Sequence, residues 1–229
     1  MTAIASADEA LDVAAKLAAE FEDGASTRDC ARALPTAQVA ALKASGLLAL
    51  SVPRAYGGLD VSSGVLAEVF RLIAHADPSL AQIPHSHFVF LQVLRLQGTE
   101  AQQAFFYDRV RAGALLANAQ SERGPHPINV DTTTLARQPG GDFVLSGRKF
   151  YSTGALFADW VTVRASLAEG SVPPTAQTPK AVAFVPRDTA RLAVVDDWDG
   201  MGQRTTASGT VTLDEIGRAS CRERVYGLV

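Results

Sequence analysis

The sequence predicts an α+β protein of more than one domain, a helical amino-terminal domain followed by a small β-sandwich or β-barrel. Two observations carry this. Up to about Gly113 apolar residues recur at three- and four-residue steps, the period of a buried helix face. Beyond it they alternate with period two, in short runs broken by glycine, proline and polar residues. A chain of 229 residues has room for two modest domains and a real core. Its 47% hydrophobic and 20% charged residues suit a globular protein.

In Ala7–Phe21 the residues Leu11, Ala14, Leu17, Ala18 and Phe21 form one apolar stripe, which predicts the first helix. The stretch SGLLALSVPRAYGGLDVSSG follows, and with Pro53 and the pair Gly57-Gly58 it reads as a structured loop. Val65, Leu66, Val69, Phe70 and Ile73 predict a second helix, stopped at Asp77-Pro78 because proline cannot continue it. A third is expected over Leu80–Leu96, with Gly98 as a left-handed cap. Thr99 and Gln102 form a capping box that opens a fourth, carrying Phe105, Phe106 and Val110.

Strands are expected at Leu115–Gln120, Thr132–Arg137, Phe143–Ser146, Trp160–Ala165, Ala181–Val185, Leu192–Val195 and Thr210–Leu213. Gly140-Gly141-Asp142 reads as a hairpin turn between two of them. The proline-rich EGSVPPTAQTPK reads as an exposed loop. The domain expectation is 1–113 helical, 114–215 strands, and 216–229 a tail foreign to both.

Composition narrows the function. A net charge of −3 without a basic face argues against nucleic acid or an anionic membrane as partner. No apolar run is long enough to span a bilayer, no leader pattern stands at the start, and a cytoplasmic protein is expected. Two cysteines without a Cys-x-x-Cys predict neither a disulfide framework nor a metal site. Ser-His-Asp order, a P-loop and Gly-x-Gly-x-x-Gly are all missing.

Several short stretches concentrate useful chemistry. In ALLANAQSE, Asn118, Gln120 and Ser121 offer hydrogen-bonding groups at a strand end; the plainer account is polar groups satisfied locally. In GRKFYSTG, Tyr151 offers an aromatic face, and Ser152 and Thr153 offer hydroxyls, with the alternative of an ordinary turn. In IPHSHF, His85 and His87 are candidates for proton transfer near neutral pH, and helix capping is equally open. Arg204 in WDGMGQRTTASG and Tyr56 in the glycine-pair loop are candidate substrate contacts, structural roles being the alternative.

The stretches LKASGLLALSVPRAYGGLDVS, ADPSL, LQGTEAQQAFFYDRVRAG, LANAQSE, GRKFYSTGALFADW and WDGMGQRTTASGTVTLDE resemble, in order and spacing, the landmarks of the acyl-CoA dehydrogenase superfamily. The resemblance covers about Leu34 to Asp214. It implies a helical domain, a β domain and a carboxy-terminal four-helix bundle around a flavin, the bundle being absent from this chain. The glycine-serine-aspartate element expected beside a CoA chain is missing, and Tyr151 stands where a tryptophan is usual. This is more similar to the branch of reduced-flavin monooxygenases that oxidise organosulfur compounds.

For that branch the resemblance implies reduced FMN, or FAD, as cofactor. It also implies O2 as co-substrate, a separate flavin reductase, a small organosulfur substrate and a homo-oligomer, tetramer or dimer. It places Asn118 and Ser152 beside the reactive flavin edge, with Gln120, Ser121, Tyr151 and Thr153 as further cofactor contacts. A divergent FAD-dependent acyl-CoA dehydrogenase and a catalytically incomplete fragment remain the competing expectations. The ending EIGRASCRERV resembles a translated sequencing adapter and is expected to carry no function.

Overall fold

The computed structural model describes residues 4–138, 142–168, 172–217 and 226–228. The chain divides into two compact units, Met1–Leu116 with Asp199–Ala207, and Ala117–Trp198 with Ser208–Val229.

The first unit is helical. α1 (Ala7–Glu22) buries Ala10, Ala14, Leu17, Ala18 and Phe21, the predicted stripe with Ala10 in place of the half-buried Leu11, and Ser6 caps it by accepting from Glu9 N at 3.1 Å. α2 (Ala25–Ala31) and α3 (Thr36–Ala44) were not expected. α2 buries no residue and α3 only Val39 and Leu42, so neither has a stripe for periodicity to find. α2 is held by Arg28, whose guanidinium donates to the Phe21 and Asp23 carbonyls and pairs with Asp77 at 3.0 Å.

Between α3 and α4 (Ser63–Ala76) the chain makes two tight turns, Leu47–Ala49 and Arg54–Tyr56. Leu47, Leu48, Leu50 and Val52 are all buried there, as a structured loop requires. Asp77 ends α4 and opens α5 (Pro78–Gln82) by accepting from Ser79 N and Leu80 N.

The single helix expected over Leu80–Leu96 is two. α5 stops before Pro84, and α6 (His85–Gln97) starts after it, since proline supplies no N–H to continue the first and suits the start of the second. Gly98 has φ −71° and ψ 143°, extended and not left-handed. The expected capping box is present at α7 (Glu100–Arg111): Thr99 Oγ1 accepts from Gln102 N at 3.3 Å, and Gln102 Oε1 accepts from Thr99 N at 2.8 Å. Among the described residues no helix is long and apolar enough to cross a membrane.

The second unit is one curled sheet among the described residues, the barrel-like form of the expected sandwich or barrel. Its strands are β1 (Leu116–Ala119), β2 (Thr134–Arg137), β3 (Phe143–Lys149), β4 (Trp160–Ala168), β5 (Lys180–Pro186), β6 (Leu192–Val195), β7 (Thr210–Ile216) and β8 (Tyr226–Leu228). They run in the order β6-β7-β3-β2-β4-β5-β8, with β1 also paired to β4. All pairings with a defined register are antiparallel except β2 with β4. The hollow is filled by small and branched side chains, including Ala117, Ala119, Leu145, Val161, Val163, Ala183, Val211 and Ile216.

The expected hairpin glycines, Gly140 and Gly141, lie outside the described residues. The strands they join do pair antiparallel, closing at Arg137↔Phe143 with Gln138 N donating to Asp142 O at 2.7 Å. β7 runs through Ile216, which is buried and paired with Leu145, so the expected boundary of the tail falls inside this strand. Residues 218–225 and 229 lie outside the described residues.

Candidate functional site

The chemistry-bearing stretches of the strand unit meet at the end of β1 and the turn after β3. Thr162 Oγ1 on β4 donates to Ala117 O at 2.7 Å, and Gln120 Nε2 donates to Thr162 O at 2.7 Å, so β1 is tied to β4 at both ends. Asn118, half-buried, sits between them. Beyond the strand, Ser121 and Phe150 form an isolated bridge in which Phe150 N donates to Ser121 O at 2.8 Å.

Behind this bridge lies a buried ionic cluster that the sequence reading missed. Lys149 is fully buried, and its Nζ donates to Glu122 Oε1 at 2.7 Å, Asp131 Oδ1 at 3.0 Å and Gln120 O at 3.3 Å. Asp131 is held from its other side by Arg164, through Nε at 2.8 Å and Nη2 at 3.1 Å. Glu122 also accepts from Thr132 N, Thr132 Oγ1 and Thr133 N.

Burial pushes the Glu122 carboxyl up, but the hydrogen bonds from Lys149, Thr132 and Thr133 outweigh it and hold the group down at about 2. A carboxyl depressed in the folded state stabilises above its unfolded value, and that stabilisation disappears as pH falls through the folded one. For Glu122 the window runs from 4.5 down to about 2. We therefore expect acid unfolding to steepen in this window, by about 3 kcal/mol in total from this group. Glu122→Gln should flatten that part of the urea-stability profile; an unchanged profile would count against the assignment.

On the near side of the bridge the turn Tyr151-Ser152-Thr153 is held at fixed points. Tyr151 adopts a left-handed φ of 56° and is 45% exposed as a residue. Trp198 meets that ring edge-on at 6.2 Å, and the Arg123 guanidinium lies 4.6 Å over its face. Ser152 N donates to Gly209 O at 3.0 Å, and Thr153 Oγ1 bonds Ser208 Oγ at 2.8 Å.

The Ser152 hydroxyl is the exception. It is fully buried, and Oγ has no hydrogen-bond partner. A buried hydroxyl without a partner costs about 1–3 kcal/mol; Ser51, Thr133 and Thr189 share that state, and Ser152 is the one that stands in the turn beside the exposed Tyr151. The Thr153–Ser208 bond favours Ser152 over Thr153 as the hydroxyl available to a ligand.

The remaining candidates belong to the helical unit. His87 is fully buried, with Nε2 2.8 Å from Leu48 O and Nδ1 accepting from Leu116 N at 3.1 Å. These bonds fix the tautomer with hydrogen on Nε2, and protonating Nδ1 would break the second. The expected proton carrier is instead an internal strut between two backbone segments.

His85 begins α6 in the open, edge-on to Phe70 at 6.2 Å. With Arg71, Gln82 and Gln203 it lines a surface cleft of about 290 Å³. Tyr56 packs its ring 5.0 Å from Tyr107. Arg204 is bound to the end of α2, its N donating to Asp29 Oδ1 at 3.0 Å and its Nη1 to Cys30 O at 3.1 Å. That anchoring supports the structural role for Arg204.

Comparison with known proteins supplies the frame. Residues 7–114 match the amino-terminal domain of acyl-CoA dehydrogenases, and residues 116–216 match the middle domain. The chain belongs to the acyl-CoA dehydrogenase family. It is 32% identical to a dibenzothiophene monooxygenase of Rhodococcus erythropolis, over 89% of this chain and 48% of that protein. A probable FMNH2-dependent monooxygenase, SfnC, of Pseudomonas putida is 30% identical over 90% of this chain and 49% of its own length. FMN-bound TdsC from Paenibacillus sp. A11-2 superposes with a TM-score of 0.83 at 33% identity, covering 90% of this chain and 51% of that one. The chain thus spans about half the length of the relatives it matches.

A flavin suits the residues present in this family member. The partnerless Ser152 hydroxyl offers a buried donor, the strand end at Asn118–Ser121 offers polar groups in a row, and Tyr151 offers an exposed ring face. Among the described residues no group of three or more His, Cys, Asp or Glu could hold a metal ion.

Proposed function

We propose that the protein works in a two-component, flavin-dependent monooxygenase that takes reduced FMN from a separate reductase and oxidises a small organosulfur compound. The observation that carries this reading is the buried, partnerless hydroxyl of Ser152, at the turn the family resemblance assigns to the flavin edge. The similarity to proteins named dibenzothiophene monooxygenase and FMNH2-dependent monooxygenase supports it. So does the lack of the glycine-serine-aspartate element that would accompany a CoA chain.

When bound, reduced FMN supplies two electrons to O2, so that one oxygen atom passes to sulfur and the other leaves as water. The chain's own part is binding and shielding. Ser152 donates its hydroxyl hydrogen to the cofactor, and the polar groups at Asn118, Gln120 and Ser121 line the strand beside it. Tyr151 presents its ring, held by Trp198 and Arg123. Burial of Ser152, Thr153 and Ser208 keeps water from the hydroxyl.

Ser152→Ala tests the assignment in both directions. Without flavin the variant should be the more stable protein, with Tm raised by about 2–4 °C as the unmet hydroxyl disappears. With flavin it should bind FMN about tenfold more weakly, the equivalent of one hydrogen bond. Turnover is read by supplying FMN, an NADH-dependent reductase, O2 and dibenzothiophene, and following sulfoxide by mass spectrometry. Oxidation of an acyl-CoA with FAD and no reductase would replace this reading with that of a dehydrogenase.

A further inference from the structure

We propose that the buried pair Lys149–Glu122 is a positioning device for the Ser152 turn, contributing placement and not net stability. In its flavin consequences this rests on the functional reading above.

The geometry is that of a staple. Three consecutive residues of one segment, Gln120, Ser121 and Glu122, are gripped by two consecutive residues of the other, one bond to each. Lys149 Nζ takes Gln120 O and the Glu122 carboxylate, and Phe150 N takes Ser121 O. The next residues along the gripping segment are Tyr151 and Ser152. Ser152 is then pinned from the opposite side through its amide to Gly209 O. The Ser152 hydroxyl has no bond of its own, so its position follows from these anchors and from the turn they hold, in which Ala155 N donates to Ser152 O and Thr153 bonds Ser208.

Energetics favour this reading. Burying two opposite charges costs about what their attraction returns, and well-packed apolar replacements of equal volume are often as stable. A lysine with no exposed surface is therefore a poor way to gain stability, but its directional bonds fix geometry. Asp131 does not depend on Lys149, because Arg164 holds it through two bonds and Lys180 lies 4.0 Å away. Glu122 has Thr132 and Thr133 as donors and His126 Nε2 at 3.6 Å. Removing both charges of the pair thus strands no third one.

The test is the double variant Lys149→Met with Glu122→Gln, first as flavin-free protein. Its Tm should stay within about 3 °C of wild type, since the charges leave together. The amides of Phe150 and Ser152 should exchange with solvent about tenfold faster than wild type, while those of the β4–β5 ladder are unchanged. FMN should then bind about tenfold more weakly. Loss of folding in the double variant would overturn the claim that the pair supplies placement and not stability. Glu122→Gln alone gives the same exchange readout in a nearly isosteric protein, and unchanged Phe150 and Ser152 exchange in either variant sinks the proposal. A wild type that binds no FMN removes the functional reading of the preceding section and leaves the exchange result standing.

Discussion

Lys149→Met on its own should lower folding stability by about 3–5 kcal/mol, the cost of leaving a buried charge uncompensated. The lysine is fully enclosed, and its partner Glu122 has a side chain only 4% exposed. With the ammonium gone, the Glu122 carboxylate keeps the Thr132 and Thr133 donors but loses its countercharge. Asp131 is less affected, because Arg164 remains. At about 2–4 °C per kcal/mol for a protein of this size, Tm should fall by roughly 10 °C. Scanning calorimetry on the single variant beside the Lys149→Met/Glu122→Gln double variant reads both effects: a large drop, then recovery. A single variant within about 2 °C of wild type would mean the cluster is not closed to water as described.

The second large effect is expected at Gly209. A Cβ built there would lie 1.9 Å from Val195 O and 3.1 Å from Val195 C, both backbone atoms of the paired β6 strand. Backbone held in a ladder cannot step aside as a flexible side chain does, so Gly209→Ala must push β6 and β7 apart. The cost is about 3 kcal/mol, the upper part of the range for overpacking. The Gly209 carbonyl also receives Ser152 N, so FMN affinity should fall along with Tm. Gly202→Ala serves as the control, since nothing lies within 4 Å of its added Cβ. If both glycine variants melt together, the close approach at Gly209 is not the constraint.

Much of this was legible in the sequence, and the exceptions have physical causes. α1, α4 and α7 announce themselves because each buries a face of large side chains or carries a side-chain cap. α2 is invisible to periodicity because it contributes no core residue and is held by one arginine, Arg28, reaching to residues far along the chain. Pro84 was read as interior to a helix when it starts one. The strands from β1 to β7 were expected, since most alternate or are largely buried, while β8 lies in the expected tail. Their order in the sheet was not, because it is set by pairings distant in sequence.

The site divides in the same way. The family's motif proposes Ser152 and Tyr151, but it could not say which hydroxyl is left without a partner. Lys149 left a trace that went unread. In β3 it shares a phase with buried Leu145, so alternation alone turns it inward, and an inward lysine requires carboxylates nearby. Glu122 and Asp131 then follow as a demand, even though their positions do not. His87 erred the other way: a histidine at a helix start invites a chemical role, and only the structure shows both its nitrogens occupied by backbone.

One more property follows from how the two units share the chain. Asp199–Ala207 leaves the strand unit, groups with the helical one, and the chain then returns at Ser208. No single cleavage can separate the units, because each owns sequence on both sides of any cut made between Ala117 and Trp198. During synthesis the helical unit stays incomplete until Ala207 has left the ribosome, by which time β1 to β6 have already emerged. The helical unit therefore receives its last segment only after most strands of the sheet have been made.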